Sequence, residues 1–251
     1  MLICLPPSEG KTAPSDGPTL DLDALSVPAF TGARSSLIAQ LEHTSKQPNA
    51  LELLGAPKGA AAQVAAQQDI SALPCAPAWQ IYTGVLFQGA DFASLSEQEM
   101  NRARHSVLIF SGLFGATSPT DLICDHRLPM GAKLEQGTPK AQWRSHWHHL
   151  DELGEGQLVI DGRSGDYAGW KPPASADHVT ITACRVVGDK RKVITHHAKH
   201  YRGLVTHLAL RASTPPSSGE DVADLATGLI GEEVTGVDFD ADKRVLTLLV
   251  S

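Results

Sequence analysis

LICLPPSEGKT, residues 2–12, combines a short apolar segment with a glycine- and lysine-containing ending. Its first four residues are a continuous apolar run, which is typical of a strand buried in a sheet. Two prolines end that strand, because proline has no N–H for the sheet ladder. The stretch closes with Gly10-Lys11-Thr12, which matches the last three positions of a phosphate-binding P-loop. This match raises the possibility of a nucleotide-binding site after the first strand.

The P-loop interpretation fails on two of its three requirements. The first glycine of the motif would fall at Leu5, and the prolines that follow have no N–H to offer a phosphate. The helix that should begin at Lys11 is also excluded, because residues 13–18 read APSDGP. We therefore predict no ATP or GTP binding through this motif. Lys11 still follows the end of a strand, where ligand sites lie in open α/β sheets, and we expect it to face a pocket.

Further strands and helices follow along the chain. The apolar runs SVLIFS (106–111) and QLVID (157–161) predict two more buried strands. Two hairpins are expected, one from 178–187 and 191–195 around Gly188-Asp189, the other from 234–239 and 245–250. The helical patterns cover residues 31–46, 49–54, 59–70, 94–104, 139–153 and 201–211. The fold class is therefore α/β (α+β), a single domain over residues 1–251 with a mixed sheet flanked by helices.

Two helix termini carry specific signals. Ser94 has Glu97 three residues later, which predicts an N-cap with a capping box. TPPSSG at residues 214–219 predicts a loop or linker rather than regular structure.

Composition bounds the class of protein. The 251 residues are 42% hydrophobic and 20% charged, an ordinary mixture for a globular chain. No apolar run approaches the roughly 20 residues of a membrane span, and no signal peptide is visible, so we expect a cytoplasmic protein without a membrane partner. The four cysteines are scattered and form no C-x-x-C pair, which favours a reducing compartment. Each is expected to be a small buried hydrophobe, with a peroxide-sensing thiol as the alternative.

Charge is distributed unevenly. The net charge of −7 argues against general nucleic-acid binding, yet residues 185–211 hold seven Lys or Arg against one acid. A local basic surface on an acidic protein is typical of a phosphate or nucleic-acid site. The alternative is an ordinary solvated face.

Five separated motifs have the order and spacing of a known family. They are LPPSEGKT at the start, IYTGV (81–85), FSGLFGATSPTDLICDHRLPMGAKL (110–134), VIDGRSGDY (159–167) and HAKHYRGLV (197–205). Together they resemble the YaaA family, bacterial proteins associated with the peroxide stress response. The similarity covers nearly the whole chain, and the long third motif carries most of it.

The resemblance implies a cytoplasmic fold with a mixed sheet and a helix-hairpin-helix element, at about residues 47–72. It also implies protection of DNA and protein from hydrogen peroxide, and DNA as a partner, while no enzymatic reaction follows from it. The chain departs from the family pattern at Asp161, where Asn is common, and at Ser118, where Arg is frequent. His196-His197 replaces aromatic residues.

The turn in LLGAPKGAAA (53–62) is the candidate DNA contact. In helix-hairpin-helix modules, backbone N–H groups of the turn and of the next helix meet a DNA phosphate. Gly55, Lys58 and Gly59 are the residues expected to make that contact. The alternative is an ordinary helix–turn–helix, with Gly55 as a C-terminal cap and Pro57 starting the next helix.

A second constellation predicts an anion cradle. Cations and hydroxyls from separate motifs could meet around a phosphate or carboxylate, which belongs either to the DNA backbone or to a small anionic ligand. The set is Lys11, Tyr82, Ser111, Arg127, Ser164, Tyr167, Lys199 and Arg202. The alternative is that Arg127 and Arg202 pair with Asp121 or Asp161 and only hold loops together.

Other chemistry has weaker support. The pairs His146/His149 and His196/His200 have helical spacing for a metal, but no third ligand is evident, so we predict no metal and no cofactor. Ser111 and Ser164 lack a nucleophile elbow. Two functions stay open: a DNA-binding stress protein, and an enzyme that acts on a small anionic substrate held by Lys/Arg/Tyr/Ser side chains. An iron-binding protein is a third option.

Overall fold

Short apolar segments form the strands at the centre of the fold. The structure is a computed structural model that describes residues 1–187, 190–194, 198–231 and 233–251. Within them, the strands are β1 (Leu2–Leu5), β2 (Cys75–Pro77), β3 (Val107–Ser111), β4 (Gly115–Thr117), β5 (Leu122–Cys124), β6 (Leu158–Asp161), β7 (Asp177–Val187), β8 (Lys190–Val193), β9 (Val234–Asp240) and β10 (Val245–Val250).

The main sheet is mixed, with the order β4-β3-β1-β6-β7-β10-β9, and β8 pairs with β7. β1 pairs in parallel with β3 on one side and with β6 on the other, and the parallel run continues through β7 to β10. β4, β8 and β9 pair antiparallel with their neighbours. β2 and β5 form a separate antiparallel pair.

Burial explains why the central strands read as apolar runs. Every residue of β1, β3 and β6 is buried, because helices or loops cover both faces of the sheet. β10 alternates between buried and half-buried residues, which is the pattern of a strand with one covered face.

Helices surround this sheet. The α-helices within the described residues are α1 (Thr31–Ser45), α2 (Ala50–Leu53), α3 (Ala61–Ala66), α4 (Ala78–Ile81), α5 (Val85–Ala90), α6 (Glu97–Ser106), α7 (Pro139–Trp143), α8 (Asp151–Gly154), α9 (Ala198–Arg211) and α10 (Gly219–Ala226). Short 3-10 segments lie at Pro28–Phe30, Lys58–Ala60, Gln67–Ala72, Phe92–Ser94, Trp147–Leu150, Gly165–Tyr167 and Thr227–Leu229.

Close packing of α5 against α9 fixes the position of the first turns of α9 in the fold. A Cβ on Gly203 would lie 2.1 Å from the Leu86 carbonyl oxygen, so the two helices approach this closely only with glycine there. Gly89 faces α9 in the same way, since its Cβ would lie 2.6 Å from the His200 carbonyl oxygen. The start of α9, with Lys199, is thereby held next to α5.

The predicted fold class is confirmed: the chain is a single mixed α/β domain with a mixed sheet flanked by helices. The strands predicted at 2–5, 106–111 and 157–161 and the hairpin at the end of the chain are present. For the other hairpin, Gly188-Asp189 and Thr195 lie outside the described residues.

Two predicted helices differ from the structure, and a third helix was not predicted. The N-cap of α6 is Ser96 rather than Ser94. The Ser96 backbone N–H donates to the Glu99 carboxylate, and the Glu99 backbone N–H donates to the Ser96 hydroxyl, which is a capping box. The single helix predicted over 139–153 is three short pieces, in which the buried, stacked rings of Trp143 and Trp147 lie on different segments. The loop at 214–219 ends in a helix missed by the sequence, α10, which Ser218 caps.

None of the helices in the described ranges is both long enough and apolar enough to cross a bilayer.

Candidate anion-binding site

A pocket of about 90 Å³ lies where β1, β3 and β6 end. From β1 the chain goes to β3 on one side and later to β6 on the other, so the pocket lies at the switch point of the sheet, where ligands bind in open α/β folds. Its walls are Pro6, Pro7, Ser8, Glu9, Lys11, Ser111, Gly112, His126, Arg127, Leu128, Pro129, Ser164, Tyr167 and Lys199. Six of the eight side chains predicted for an anion cradle therefore line one pocket: Lys11, Ser111, Arg127, Ser164, Tyr167 and Lys199.

Lys11 is held by a backbone ladder between the first two motifs. Lys11 and Tyr82 form an antiparallel bridge, with Thr12 N–H donating to Ile81 at 2.9 Å and Thr83 N–H donating to Gly10 at 3.1 Å. The Lys11 Nζ lies 5.7 Å from the centre of the Tyr82 ring, a cation–π contact. Burial lowers the pKa of Lys11 to about 8; Asp125 opposes this shift and Arg127 adds to it. Lys11 is therefore a cation whose charge is sensitive to pH near neutrality.

Arg127 is fixed through its backbone, which leaves its side chain for the pocket. The buried Gln67 side chain accepts from Arg127 N–H at 2.9 Å and donates to the Arg127 carbonyl at 3.4 Å. One terminal nitrogen lies 3.8 Å from the carboxylate of the exposed Glu9, a long and weak ion pair. The Arg127 Nε is buried and has no hydrogen-bond partner among the described residues. Such an orphaned donor is costly unless a ligand or water satisfies it.

A second orphaned donor lies beneath Lys11. Tyr82 is almost fully buried, and its Oη has no hydrogen-bond partner in the described part of the chain. Burial raises the pKa of Tyr82, so its phenol is neutral and can donate. Ser111, which does line the pocket, is a neighbour of the Tyr82 hydroxyl, and the Ser111 Oγ accepts from the Phe114 N–H at 3.0 Å.

His126 is a pocket residue that the sequence interpretation missed. Its Nδ1 lies 3.0 Å from the Cys124 carbonyl, which fixes Nδ1 as the protonated nitrogen and leaves Nε2 as an acceptor. Burial lowers the pKa of His126 to about 3, and the nearby Lys11 charge adds to this, so the ring is neutral. The sequence signal was its place between Asp125 and Arg127 in the long third motif. Ser8 and Glu9 were missed as well.

Gly112 explains how β3 meets the segment that carries Arg127. A Cβ at Gly112 would lie 2.1 Å from the Leu128 carbonyl oxygen, so a larger residue would push the Arg127 segment away.

The wall after β6 is stabilised by a buried ion pair. Asp161 accepts from the Arg163 backbone N–H and Nε, both at 2.9 Å, and from Nη2 at 2.7 Å. This bracing holds the turn that carries Ser164 and Tyr167. Burial raises the pKa of Tyr167 to about 12, so this phenol is also neutral.

The alternative pairing of the two arginines is wrong. Asp121 is instead satisfied by the Ser26 backbone and side chain and by the Ser118 N–H, and Asp161 by Arg163. Arg202 donates from Nε to the Ile181 carbonyl at 3.1 Å, on the β7 side of α9.

The remaining predicted residues lie away from this pocket. Arg202 does not line it, and Tyr82 lies beneath it rather than in its wall. Gly55, Lys58 and Gly59 are exposed in the turn between α2 and α3 and are not part of its lining. In the predicted basic surface, Arg191 pairs with Asp238, while Gly188-Asp189 and His196-His197 lie outside the described residues.

An open groove of about 400 Å³ continues from the pocket. It shares Pro6, Pro7, Ser8, Glu9 and Lys199 with the pocket. Its other walls are Gly10, Gly84, Val85, Leu86 and Phe87, at the start of α5. A charged pocket therefore opens into a mainly apolar groove.

Metal ligands are not clustered in the described ranges, where no group of three His, Cys, Asp or Glu side chains is arranged to hold an ion. The His146 and His149 rings lie 6.4 Å apart. His196, of the second predicted pair, lies outside those ranges.

Comparison with known proteins identifies the family. A protein-family model described as "Peroxide stress protein YaaA" matches residues 1–226. The chain belongs to this family. A UPF0246 protein from Streptomyces coelicolor is 36% identical over 240 residues, which cover 93% of this chain and 92% of that protein. A UPF0246 protein from Corynebacterium glutamicum is 35% identical over an alignment of 260 positions that covers all of both chains. One from Corynebacterium efficiens is 36% identical over an alignment of 259 positions. The family name supports a stress-related role.

Sulfate binding to the pocket is expected to weaken as the pH rises through about 8. The Lys11 ammonium is charged below that pH and loses its proton above it, while sulfate stays doubly charged throughout. Loss of one charged contact predicts about a tenfold weaker affinity at about pH 9.5 than at about pH 7. Titration calorimetry between about pH 7 and about pH 9.5 measures the sulfate affinity.

Lys11→Met is the control, because it keeps the packing over Tyr82 and removes the charge. It should bind more weakly at neutral pH and show no step near pH 8. A wild-type affinity that stays constant from about pH 7 to about pH 9.5 would contradict the role given to Lys11.

Proposed function

We propose that this chain is a peroxide stress protein that acts by binding an organic molecule with a phosphate or carboxylate group in the pocket at the ends of β1, β3 and β6. The observation that carries the proposal is the Arg127 Nε, a buried guanidinium donor without a partner in the described residues, in a pocket that Lys11 and Lys199 also line. An anion between these side chains would satisfy the orphaned donor and offset the cations.

Convergence of the sequence motifs supports a binding role. The first, third, fourth and fifth motifs each contribute to the pocket walls, through Lys11, Arg127, Ser164 and Lys199. The second motif supplies Tyr82 beneath Lys11 and Gly84 in the adjoining groove. Motifs that only stabilised the fold would have no reason to meet at one cavity.

The sizes and the linings of the pocket and of the adjoining groove limit the class of ligand. The charged pocket of about 90 Å³ suits a single phosphate or carboxylate group, and the open groove suits a larger, mainly apolar part of the same molecule. Nucleoside phosphates combine these features, and the phosphate would be held by the side chains of Lys11, Arg127 and Lys199 rather than by the backbone N–H groups of a P-loop. The neutral His126 ring and Lys11 would then face the anionic end, where Lys11, with its pKa of about 8, could accept or donate a proton.

Arg127→Met and Lys199→Met should each weaken binding of a nucleoside monophosphate by about tenfold, because each removes one charged contact. Lys58→Met is the matched control, a lysine removed from an exposed position outside the pocket, and should bind as the wild type does. Equilibrium dialysis with a panel of nucleoside phosphates and sugar phosphates makes the measurement. No binding of any member, or equal losses in all three variants, would refute the pocket.

DNA binding is the second candidate, and a separate observation favours it. Gly55, which has φ +58°, Lys58 and Gly59 are exposed in the turn between α2 and α3, where a phosphate could reach the backbone. The Gln63 side chain of α3 donates to Asp125 at 2.6 Å, which connects the turn to the segment carrying Arg127. The net charge of −7 opposes this function, so contacts would be few and electrostatic.

A DNA contact at this turn predicts that Lys58→Glu weakens duplex affinity by about tenfold, and that wild-type affinity falls steeply between about 50 mM and about 200 mM salt. Fluorescence anisotropy with a labelled duplex tests both. Arg127→Met, which leaves the turn intact, is the reference variant. Wild-type affinity that is absent or independent of salt would eliminate DNA as a partner, whatever the nucleoside phosphates show.

A further inference from the structure

Two cysteines face each other across the small sheet formed by β2 and β5. Cys75 and Cys124 are direct partners in its antiparallel register, and both are buried. Direct partners in a sheet project to the same face, so the two side chains lie side by side. The Cys75 Sγ donates to the Leu73 carbonyl at 3.9 Å, a long and weak contact.

The backbone hydrogen bonds show which kind of pair this is. The Cys75 N–H donates to the Pro18 carbonyl at 2.8 Å, and the Cys124 carbonyl accepts from the His126 ring. The two residues therefore do not exchange the N–H···O bonds of a hydrogen-bonded pair. In a non-hydrogen-bonded pair the Cα atoms lie about 4.5 Å apart. That separation is within the range of roughly 4.4 to 6.8 Å that a disulfide spans, so a bond requires little movement of the backbone.

The two sulfurs differ in reactivity. The neighbouring Cys124 thiol lowers the pKa of Cys75, whereas the neighbouring Cys75 thiol and burial raise the pKa of Cys124. Cys75 also lies directly under the exposed Gly17-Pro18 segment, through the Pro18 carbonyl that accepts from its N–H, so it is the nucleophile of the pair and Cys124 the resolving thiol. Cys4 contrasts with Cys75, since burial in the core of the main sheet raises the pKa of Cys4 to about 12.

A thin cover separates Cys75 from solvent. Gly17 and Pro18 are exposed and belong to the irregular segment that follows Lys11. Gly17 packs so closely on the strand that a Cβ there would lie 2.2 Å from the Cys75 carbonyl oxygen. The Pro18 carbonyl bond attaches this segment to Cys75, and such loop contacts open at low free-energy cost. A molecule as small as hydrogen peroxide can enter through such an opening.

We propose that Cys75 and Cys124 are a dithiol site that hydrogen peroxide oxidises to a disulfide. The Cys75 thiolate attacks one peroxide oxygen, the O–O bond breaks, and the departing hydroxide takes a proton to become water. The resulting sulfenic acid is attacked by the Cys124 sulfur, which forms the S–S bond and releases a second water. Two thiols and one peroxide thus give one disulfide and two waters. The site is separate from the anion pocket and does not depend on a ligand there.

Peptide mapping of the full-length protein without reductant tests the proposal. After treatment of the wild type with a small excess of hydrogen peroxide, we expect a linked peptide pair containing Cys75 and Cys124, lighter by two hydrogens than the free peptides. Reaction of the denatured protein with a thiol reagent should show two thiols lost per chain, and dithiothreitol should restore them. Cys4 and Cys184 should stay reduced.

Two variants separate the steps. Cys124→Ser should stop at a Cys75 sulfenic acid that dimedone labels, and Cys184→Ser, a matched control outside the pair, should form the disulfide as the wild type does. The wild-type map decides the question even if Cys124→Ser fails to fold. Absence of the linked pair at excess peroxide, a disulfide to any other cysteine, or oxidation only to sulfinic or sulfonic acid would overturn the proposal.

Discussion

The parallel pairing of β1 with strands on both sides is the constraint on which the site depends. Ile3 lies opposite Val107 of β3 and opposite Ile160 of β6, so three strands end at the same edge of the sheet. Because the carboxyl ends of parallel strands meet at one edge, the loops after Leu5, Ser111 and Asp161 are brought together. Each of these loops delivers part of the pocket, and a shift in either register would separate them.

Hydrogen bonds outside the pocket hold in place the segments that carry its charged and hydroxyl side chains. Gln67 holds the Arg127 backbone and Asp161 holds the turn after β6, so the cationic and hydroxyl groups do not hold each other in place. Removing a charged group from water is costly, and Lys11 shows the cost in its lowered pKa. The protein therefore carries an unfavourable local arrangement that an anion would relieve, as functional sites commonly do.

Local sequence patterns predicted the longer strands and the hairpin at the end of the chain, but they missed the three-residue strands β2, β4 and β5 and did not give the order of the strands in the sheet. Buried parallel strands read as continuous apolar runs, so Leu2–Leu5 was recognisable from four residues. Nothing local states that this first strand lies between β3 and β6, because that order is decided by long-range packing. The same limit explains the helix cap: Ser94 and Ser96 each precede a glutamate by three residues, and only the structure shows that Ser94 instead donates to Asp91.

Some of the site residues were predicted from the sequence and others were not. Charged and hydroxyl residues in separate motifs predicted an anion cradle, and most of them line one pocket. His126 escaped because a single buried histidine has no spacing signal. Arg202 was grouped with Lys199 by sequence, but it lies one turn further along α9 and bonds to β7. Helical periodicity places two such residues near one another without stating which neighbour each one contacts.

Anomalous diffraction from crystals soaked in selenate tests the central claim most directly, because it locates a bound oxyanion without assuming a ligand or a reaction. We expect a selenium peak between Lys11, Arg127 and Lys199, within hydrogen-bond distance of the Arg127 Nε. A peak only at the turn between α2 and α3, or no peak in the pocket at saturating selenate, would contradict it.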